Sequence, residues 1–301
     1  MSATRSIRAD EPKHAIILAP EIVGERADQM VDYGIAAEEA GWDGAFLYDI
    51  LVNPPPPESE GQAGDPTPGW NPDEYGDFID PWITLAAIAS HTRSIALGTW
   101  ITPIARRQPW QVARDLATVD RIANGRTILG VGLDRRPDYD KFGIPWDAKQ
   151  MAQVYDEALE VIAGLWTGER FSYQGQHFTI DDVALLPTPV QRPRIPILVA
   201  GFWPNKKPFQ RAARWDGVMP VFFAGGDHPP AETVAREMLE YYHSITDDPG
   251  DIFMPFRVPG DVAAYRDVCK GFGVTWFYTW PDLNGDRNHD LEVIRRGPQR
   301  S

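Results

Sequence analysis

Asp49 and His228 are the residues of this sequence whose types and positions best suit acid–base chemistry. Asp49 closes an apolar run, and His228 stands in the turn-rich segment 223–230. A carboxylate or an imidazole so placed can transfer a proton near neutral pH. The competing interpretations are that Asp49 anchors the loop after it and that His228 is simply exposed. The sequence contains no zinc-ligand spacing, Walker loop or nucleophile elbow, and no metal site is predicted.

The elements that position these residues follow from apolar runs and their breaks. The stretch Ile95–Gly132 holds two apolar runs without polar alternation, joined by an amphipathic helix that begins at Pro109 and ends at Gly125. Strands of this kind are buried on both faces, as in parallel sheets covered by helices. Proline at a helix start and glycine after its end are common boundary signals. The stretch is therefore predicted to be a βαβ unit.

The same alternation runs through the whole chain of 301 residues. Strands are predicted at about 14–19, 44–49, 95–102, 126–132, 195–200, 217–222, 252–258 and 274–280. Eight strands alternating with helices predict an α/β fold, a (β/α)8 TIM barrel formed by a single domain over residues 1–301. Insertions are expected after strand 2, as a proline-rich, lid-like loop at 53–79, and after strand 4, as a helix and a hairpin. An open doubly wound sheet is the alternative, but no GxGxxG motif follows the first strand.

Active sites of such barrels lie at the C-terminal ends of the strands. Asp49 falls at this end, and His228 is the one histidine that clearly does. Trp70 in the proline-rich loop, together with Tyr278 and Trp280 at the end of strand 8, is predicted to line a substrate pocket. Ordinary filling of the barrel interior is the other interpretation of Tyr278 and Trp280.

The charge distribution restricts the partners. The formal net charge is -14, which argues against nucleic acid. No Lys or Arg occurs between Ala27 and Thr92, whereas basic residues gather at 106–107, 126, 135–136 and 206–207. An anionic ligand is therefore expected to bind the middle of the chain, although a solvated acidic surface also explains the acidic part.

Three features favour a cytoplasmic protein. Cys269 is the only cysteine, which excludes an intramolecular disulfide and suits a reducing compartment. The N-terminus has no apolar core of a signal peptide, and no apolar run reaches membrane-spanning length.

Several short motifs occur together in the predicted barrel. They are Gly41-Trp42-Asp43, Asp80-Pro81, Leu97-Gly98-Thr99, Arg107-Gln108-Pro109, Val119-Asp120, Gly125-Arg126, Leu129-Gly130-Val131-Gly132, Leu165-Trp166-Thr167-Gly168-Glu169, Pro196–Gly201 and Trp215–Val218. In combination they resemble the bacterial luciferase-like superfamily of flavin-dependent oxidoreductases, which includes enzymes that use the deazaflavin F420. The resemblance implies a barrel that binds flavin at the C-terminal ends of its strands, with the phosphate near strands 4 and 5. Many such proteins are dimers.

The resemblance also implies residues that contact the cofactor ring. In this family the end of strand 3 often carries a non-prolyl cis peptide behind the ring, which places Thr99, Trp100 and Ile101 there. A core position is the other interpretation of Trp100. An arginine at the position of Arg126 approaches the flavin phosphate in relatives. Topology sets Arg126 at the entry of strand 4, far from the mouth, and a salt bridge with a helix is the alternative.

A second candidate for phosphate binding follows strand 5. Gly201, Lys206 and Lys207 precede a predicted helix, whose N-terminus favours an anion. Solvated loop lysines are the ordinary alternative.

Two departures from the F420-type pattern decide between cofactors. Ile50 stands where a histidine follows the aspartate in F420-type relatives, and Leu133-Asp134-Arg135-Arg136 lacks the glutamate that some of them carry. The prediction is an FMN-dependent monooxygenase that uses reduced FMN and O2 to oxidise a small organic substrate. It would work as a homodimer with a separate flavin reductase. An F420-dependent reductase or dehydrogenase is the alternative, and a non-catalytic flavin-binding protein is a further one.

Overall fold

The computed structural model describes residues 11–18, 27–51, 78–133 and 137–300, and the structural statements below concern these residues. Most of the proline-rich loop, with Trp70, lies outside them, as does Asp134. The predicted lid and the contribution of Trp70 to a pocket therefore stay predictions.

A closed barrel of eight parallel strands forms the centre of the molecule. The strands are β1 (Lys13–Leu18), β2 (Gly44–Leu47), β3 (Ala96–Thr99), β5 (Thr127–Gly132), β8 (Ile197–Phe202), β9 (Gly217–Val221), β10 (Asp251–Pro255) and β11 (Trp276–Thr279). Each pairs with the next, β3 pairs with β5, and β1 pairs with β11. This closure confirms the predicted (β/α)8 barrel and rules out the open doubly wound sheet. A two-residue strand, β4 (Thr102–Pro103), continues β3 beyond a break and pairs with β5.

Helices cover the outside of the barrel. They are α1 (Asp28–Glu39), α2 (Pro81–His91), α3 (Pro109–Ile122), α4 (Pro137–Asp140), α5 (Ala148–Leu165), α6 (Lys206–Ala212), α7 (Ala231–Ser244), α8 (Val262–Gly271) and α9 (Arg287–Arg295). Their starts follow from local chemistry. The carboxylates of Asp80, Asp147 and Asp261 each accept the backbone N–H three residues later, and prolines occupy first-turn positions of α2 and α3. In the described residues no helix combines the length and apolar character needed to cross a membrane.

The insertion after the fourth barrel strand contains α5 and an antiparallel hairpin, as predicted. The hairpin consists of β6 (Phe171–Gln174) and β7 (Thr179–Val183). Glu157 on α5 holds its turn by accepting the backbone N–H groups of residues 176–178. The short α4 and the C-terminal α9 were not predicted. Asp290 on α9 is buried and accepts the Tyr33 hydroxyl on α1, which fixes α9 against α1.

Alternate side chains of each strand point to two separate cores. One core lies between strands and helices, and the other fills the barrel. The buried residues of the inner core are Ala15, Ile17, Phe46, Tyr48, Trp100, Ile128, Leu198, Met219, Phe253, Trp276 and Tyr278. The inner core is entirely apolar or aromatic, so the barrel is a packed interior and ligands must bind at its ends.

Glycines on β3 and β5 allow these two strands to approach closely. A Cβ atom on Gly130 would lie 2.0 Å from the Thr99 carbonyl oxygen, and one on Gly98 would lie 2.5 Å from the Ile128 carbonyl oxygen. Both contacts are with backbone and cannot be relieved by a rotamer change. Gly98 of the LGT motif and Gly130 of the LGVG motif are therefore required by the wall of the barrel.

Candidate functional site

Large aromatic side chains line one side of the C-terminal mouth. The ring centroids of Trp100 and Tyr278 are 4.1 Å apart, and those of Tyr48 and Trp280 are 5.8 Å apart. Trp280 is partly exposed, whereas the other three are buried. Because Tyr278 and Trp280 alternate with residues of the outer core, both point into the barrel. This agrees with the predicted position of a pocket wall, and the role in substrate binding stays a prediction.

Small side chains line the opposite side of the mouth. Gly132 ends β5, and Ala200 is a partly exposed inward-facing residue of β8. A Cβ atom on Gly132 would lie 2.7 Å from Cδ1 of Ile101, so the isoleucine side chain packs directly against β5. Aromatic rings facing small residues across an apolar floor leave a shape and chemistry that fit a planar aromatic ring.

The Trp100–Ile101 peptide lies between these two sides and is cis, at the place where the family resemblance indicates such a bond. The residues before and after it are tied together. The hydroxyls of Thr99 and Thr102 are 3.0 Å apart, Thr99 donates to the Gly130 carbonyl, and the Trp82 indole N–H donates to Thr102. Thr99 is fully buried, so its side chain supports the wall and does not face the mouth.

Asp49 is buried beneath two arginines. Its two carboxylate oxygens accept hydrogen bonds from Arg106 and Arg107 at 2.5 and 2.6 Å. Arg106 also binds the backbone carbonyl of Asp49 and the carboxylate of Asp138, which in turn accepts the Leu51 N–H. This ion cluster, formed by Asp49, Arg106, Arg107 and Asp138, joins the segments that follow β2, β4 and β5.

The electrostatics of the ion cluster favour an anchoring role for Asp49. Burial raises the pKa of the Asp49 carboxyl, and the two guanidinium groups oppose that rise. Burial alone would lower the pKa of Arg107, but the Asp49 carboxylate raises it. Both Asp49 oxygens are engaged by guanidinium groups, which disfavours proton transfer from a substrate to this carboxylate. The structural alternative considered for Asp49 matches these contacts better than the catalytic one.

The ion cluster also corrects the interpretation of the basic loop. The sequence places Arg106 and Arg107 among the residues expected to bind an anionic ligand, yet both form ion pairs with aspartates of the same chain. These partners lie 57, 58 and 32 residues away in sequence. Arg106 and Asp138 were not singled out as site residues, and no local pattern marks them as a pair.

The side chain of Arg126 lies at the N-terminal end of the barrel, opposite the mouth. Its five guanidinium N–H groups donate to the carbonyls of Ala89, Thr92, Ala123 and Ile95 and to the Thr92 hydroxyl. These contacts fasten the turn before β5 to the end of α2. No guanidinium hydrogen is left for a flavin phosphate, so we do not carry Arg126 into the cofactor site.

Lys206 and Lys207 lie at the C-terminal end of the barrel, where α6 follows β8. Both are exposed, and the Lys206 ammonium lies 4.8 Å from the centroid of the Tyr241 ring. Asn205 caps α6 by accepting the Lys207 N–H. A Cβ atom on Gly201 would collide with Pro208 at 2.4 Å, so this glycine is needed for packing of α6. Phosphate binding by the two lysines stays a prediction.

His228 also lies beyond a C-terminal strand end, in the loop after β9. Its side chain is exposed and stacks on Phe223 at a centroid distance of 5.6 Å. Phe223 stacks in turn on Phe202, which is 54% exposed. The structure thus places His228 on an aromatic rim, and its catalytic role stays a prediction.

A cavity of about 220 Å³ lies against α2 and α3 on the outside of the barrel and shares Arg107 with the ion cluster. It is lined by Trp82, Arg107, Gln108, Trp110, Gln111, Val112, Asp115 and Leu116. We place the candidate site at the mouth because the convergent aromatic and small residues are there and because barrel enzymes react at that end.

Comparison with known proteins supports the same class of molecule. Residues 8–248 match the luciferase-like monooxygenase family. An F420-dependent glucose-6-phosphate dehydrogenase of Microbacterium testaceum is 30% identical over 179 residues, which cover 59% of this chain and 48% of the relative. An F420-dependent hydroxymycolic acid dehydrogenase of Mycobacterium tuberculosis is 33% identical over 185 residues, covering 60% and 45%. The matched part thus spans about half the length of these relatives.

A solved structure shares the fold over nearly the whole chain. The monooxygenase RslO1 from Streptomyces bottropensis superimposes with a TM-score of 0.71 at 20% identity, covering 94% of this chain and 96% of that one. At this identity the likeness shows the barrel fold alone.

The anchoring role of Asp49 predicts a large loss of stability in Asp49→Asn. Removing one charge from a buried ion pair costs about 3–5 kcal/mol. We expect a loss near the lower end of this range, because Arg106 keeps Asp138 and Arg107 keeps a longer contact with Asp80. Urea unfolding at pH 7 measures this loss.

In the matched control Asp32→Asn, the partner Arg287 and Asp32 itself are both exposed, so a change below about 1 kcal/mol is expected. An Asp49→Asn protein of normal stability would contradict the anchoring role.

Proposed function

This chain belongs to the luciferase-like monooxygenase family, and we propose that it is an FMN-dependent monooxygenase that oxidises a small organic substrate at the barrel mouth. The observation that carries the proposal is the composition of that mouth. The described residues that line the mouth are aromatic, aliphatic or glycine. Asp49, which follows Tyr48 of this lining, forms ion pairs with two arginines. Such a site suits a reaction in which the cofactor performs the redox step while the protein orients the reactants and excludes water.

The residues present fit an isoalloxazine ring. Ile101 and Gly132 form an apolar surface on one side, and Trp100 with Tyr278 forms an aromatic one on the other. Reduced FMN, when bound, supplies the two electrons with which one oxygen atom of O2 enters the substrate and the other leaves as water. The chain's own contribution is to hold the ring, to keep bulk water from it and to limit the space for substrate.

The phosphate of FMN is assigned to the surface beyond β8. Arg106, Arg107 and Arg126 are engaged by groups of the chain itself, whereas Lys207 has no ion pair among the described residues. An exposed ammonium at this end can meet a phosphate dianion without breaking an internal contact. We therefore propose Lys207, with Lys206 beside it, as the phosphate contact.

An F420-dependent dehydrogenase is the second candidate, favoured by the names of the two sequence relatives. Dehydrogenation of an alcohol requires a group that accepts the hydroxyl proton. Among the described residues near the mouth, His228 is the candidate for this step, since Asp49 is paired. The monooxygenase proposal makes no such demand on the side chains, and we place it first for that reason.

Cofactor titration separates the two candidates. Purified protein is titrated with FMN, with FMNH2 under anaerobic conditions and with F420, and binding is followed by cofactor absorbance and fluorescence. We expect binding of FMNH2, and oxygen uptake on mixing with air that increases with a suitable substrate. Binding of F420 with indifference to both FMN forms would overturn the FMN assignment. Cofactor binding without oxygen or hydride chemistry across a broad substrate panel would indicate a flavin-binding protein instead.

The assignment of the phosphate predicts a selective defect in Lys207→Ala. The Kd for FMN should rise about tenfold, the loss of roughly one charge-assisted hydrogen bond, while the Kd for riboflavin, which lacks the phosphate, should not change. Lys270→Ala, in the last turn of α8 at the other end of the barrel, serves as the matched charge control. Equal effects of Lys207→Ala on FMN and riboflavin would remove this lysine from the phosphate site.

The pocket wall predicts a change of substrate preference in Trp280→Ala. The variant should bind FMN within about twofold of wild type, since pocket contacts worth about 1–3 kcal/mol act on the substrate. Substrate-dependent oxygen uptake is compared across a panel graded in size, and bulkier compounds should gain relative to small ones. Trp110→Ala, an exposed tryptophan outside the barrel, is the control. An unchanged preference in Trp280→Ala would place this residue outside the substrate pocket.

A further inference from the structure

We propose that Trp82, Thr102 and Thr99 are positioning residues for the Trp100–Ile101 segment at the cofactor site. The inference rests on the proposed function, because it assumes that a flavin or deazaflavin ring lies against that segment. None of the three side chains reaches the mouth. They act through a series of hydrogen bonds that starts on the outer helix α2 and ends on β5, the strand next to β3 in the barrel wall.

The hydrogen bonds of this series have a single consistent direction. The Trp82 indole N–H can only donate, and it donates to Oγ1 of Thr102 at 2.9 Å. Oγ1 of Thr99 donates to the Gly130 carbonyl at 3.0 Å, so its one hydrogen is used there. The 3.0 Å contact between the two hydroxyls must then be a donation from Thr102 to Thr99. Every hydroxyl hydrogen in the series has an acceptor.

Burial excludes a direct role for the two threonines. Thr99 and Thr102 are completely buried, and Trp82 is 5% exposed. A bound cofactor therefore meets none of their polar atoms. In such a place a hydrogen bond is strong, and a missing partner is costly, because water cannot replace it.

The geometry shows that these hydrogen bonds control the position of the Trp100–Ile101 segment. Thr99 and Thr102 stand on either side of Trp100 and Ile101, and the bond between their hydroxyls closes this short segment at its base. The side chain of Trp100 then meets Tyr278, and that of Ile101 meets Gly132. A shift at the base moves both the aromatic and the aliphatic wall of the proposed ring site. Because Trp82 donates to Thr102, the position of the segment also depends on the first turn of α2.

The test compares Thr102→Val, Thr102→Ser and Thr92→Val. Valine keeps the shape of threonine but removes the hydroxyl, and serine keeps the hydroxyl. Thr92 is a matched control, because it is buried and hydrogen-bonded but lies with Arg126 at the opposite end of the barrel. For each variant the Kd for whichever of FMN and F420 binds the wild type is measured, together with the absorption spectrum of the bound cofactor and the melting temperature.

We expect Thr102→Val to raise the Kd about tenfold, as for one lost buried hydrogen bond, and to shift the bound-cofactor spectrum. Thr102→Ser should restore both, and Thr92→Val should lower the melting temperature while leaving both unchanged. A Thr102→Val protein with wild-type Kd and spectrum would overturn the proposal. Should Thr102→Val not fold, Trp82→Phe removes only the outermost donor, and the same spectral shift in smaller degree is expected from it.

Failure of the proposed function is recognised separately. A wild-type protein that binds neither FMN nor F420 contradicts the cofactor assignment. Crystal structures of wild type and Thr102→Val then still test the positioning, since the proposal requires displacement of the Trp100 ring from Tyr278 in the variant. Identical positions of Trp100 and Ile101 in both structures would overturn it.

Discussion

The close approach of β3 and β5 is the constraint on which the rest of the site depends. At Gly130 the two backbones leave no room for even one methyl group. This proximity brings the Gly130 carbonyl within reach of the Thr99 hydroxyl, and Thr99 in turn accepts from Thr102. The bend that carries Trp100 into the mouth therefore depends on the absence of a side chain on the neighbouring strand. Glycine usually weakens a strand, but here one glycine on β3 and one on β5 allow the two strands to approach closely.

Arginines have different partners at the two ends of the barrel. At the C-terminal end the ion cluster fixes segments that follow three strands, and at the N-terminal end Arg126 satisfies carbonyls left over at the end of α2. Buried ion pairs add little net stability compared with apolar packing, but they are expensive to break. Their effect is to permit one arrangement of these connections. The ring site that we propose at the mouth requires this kind of restriction more than it requires additional stability.

The sequence predicts the fold well because the relevant forces are local. Apolar runs define all eight strands, and aspartates or prolines at helix starts define most of the helices, since capping depends on residues three positions apart. The missed α9 is held by distant contacts, in which Asp290 receives the Tyr33 hydroxyl and Ile294 receives the Trp42 indole N–H. Those partners lie more than 250 residues away in sequence. No local sequence pattern predicts these long-range contacts.

For the candidate site, the sequence predicts which strand ends carry functional residues. It does not predict which polar side chains there already have a partner within the protein. Asp49 and Arg107 were both recognised as polar residues near strand ends, yet only the structure shows that each neutralises the other. Of the basic groups at 106–107, 126 and 206–207, only the one beyond β8 has neither an ion pair nor a backbone carbonyl as partner among the described residues, and residues 135–136 lie outside them. The lack of an ion pair at this position is informative because acidic residues outnumber basic residues in the protein. In such a protein a basic side chain at the mouth end that has no carboxylate partner is an informative sign of an anionic ligand.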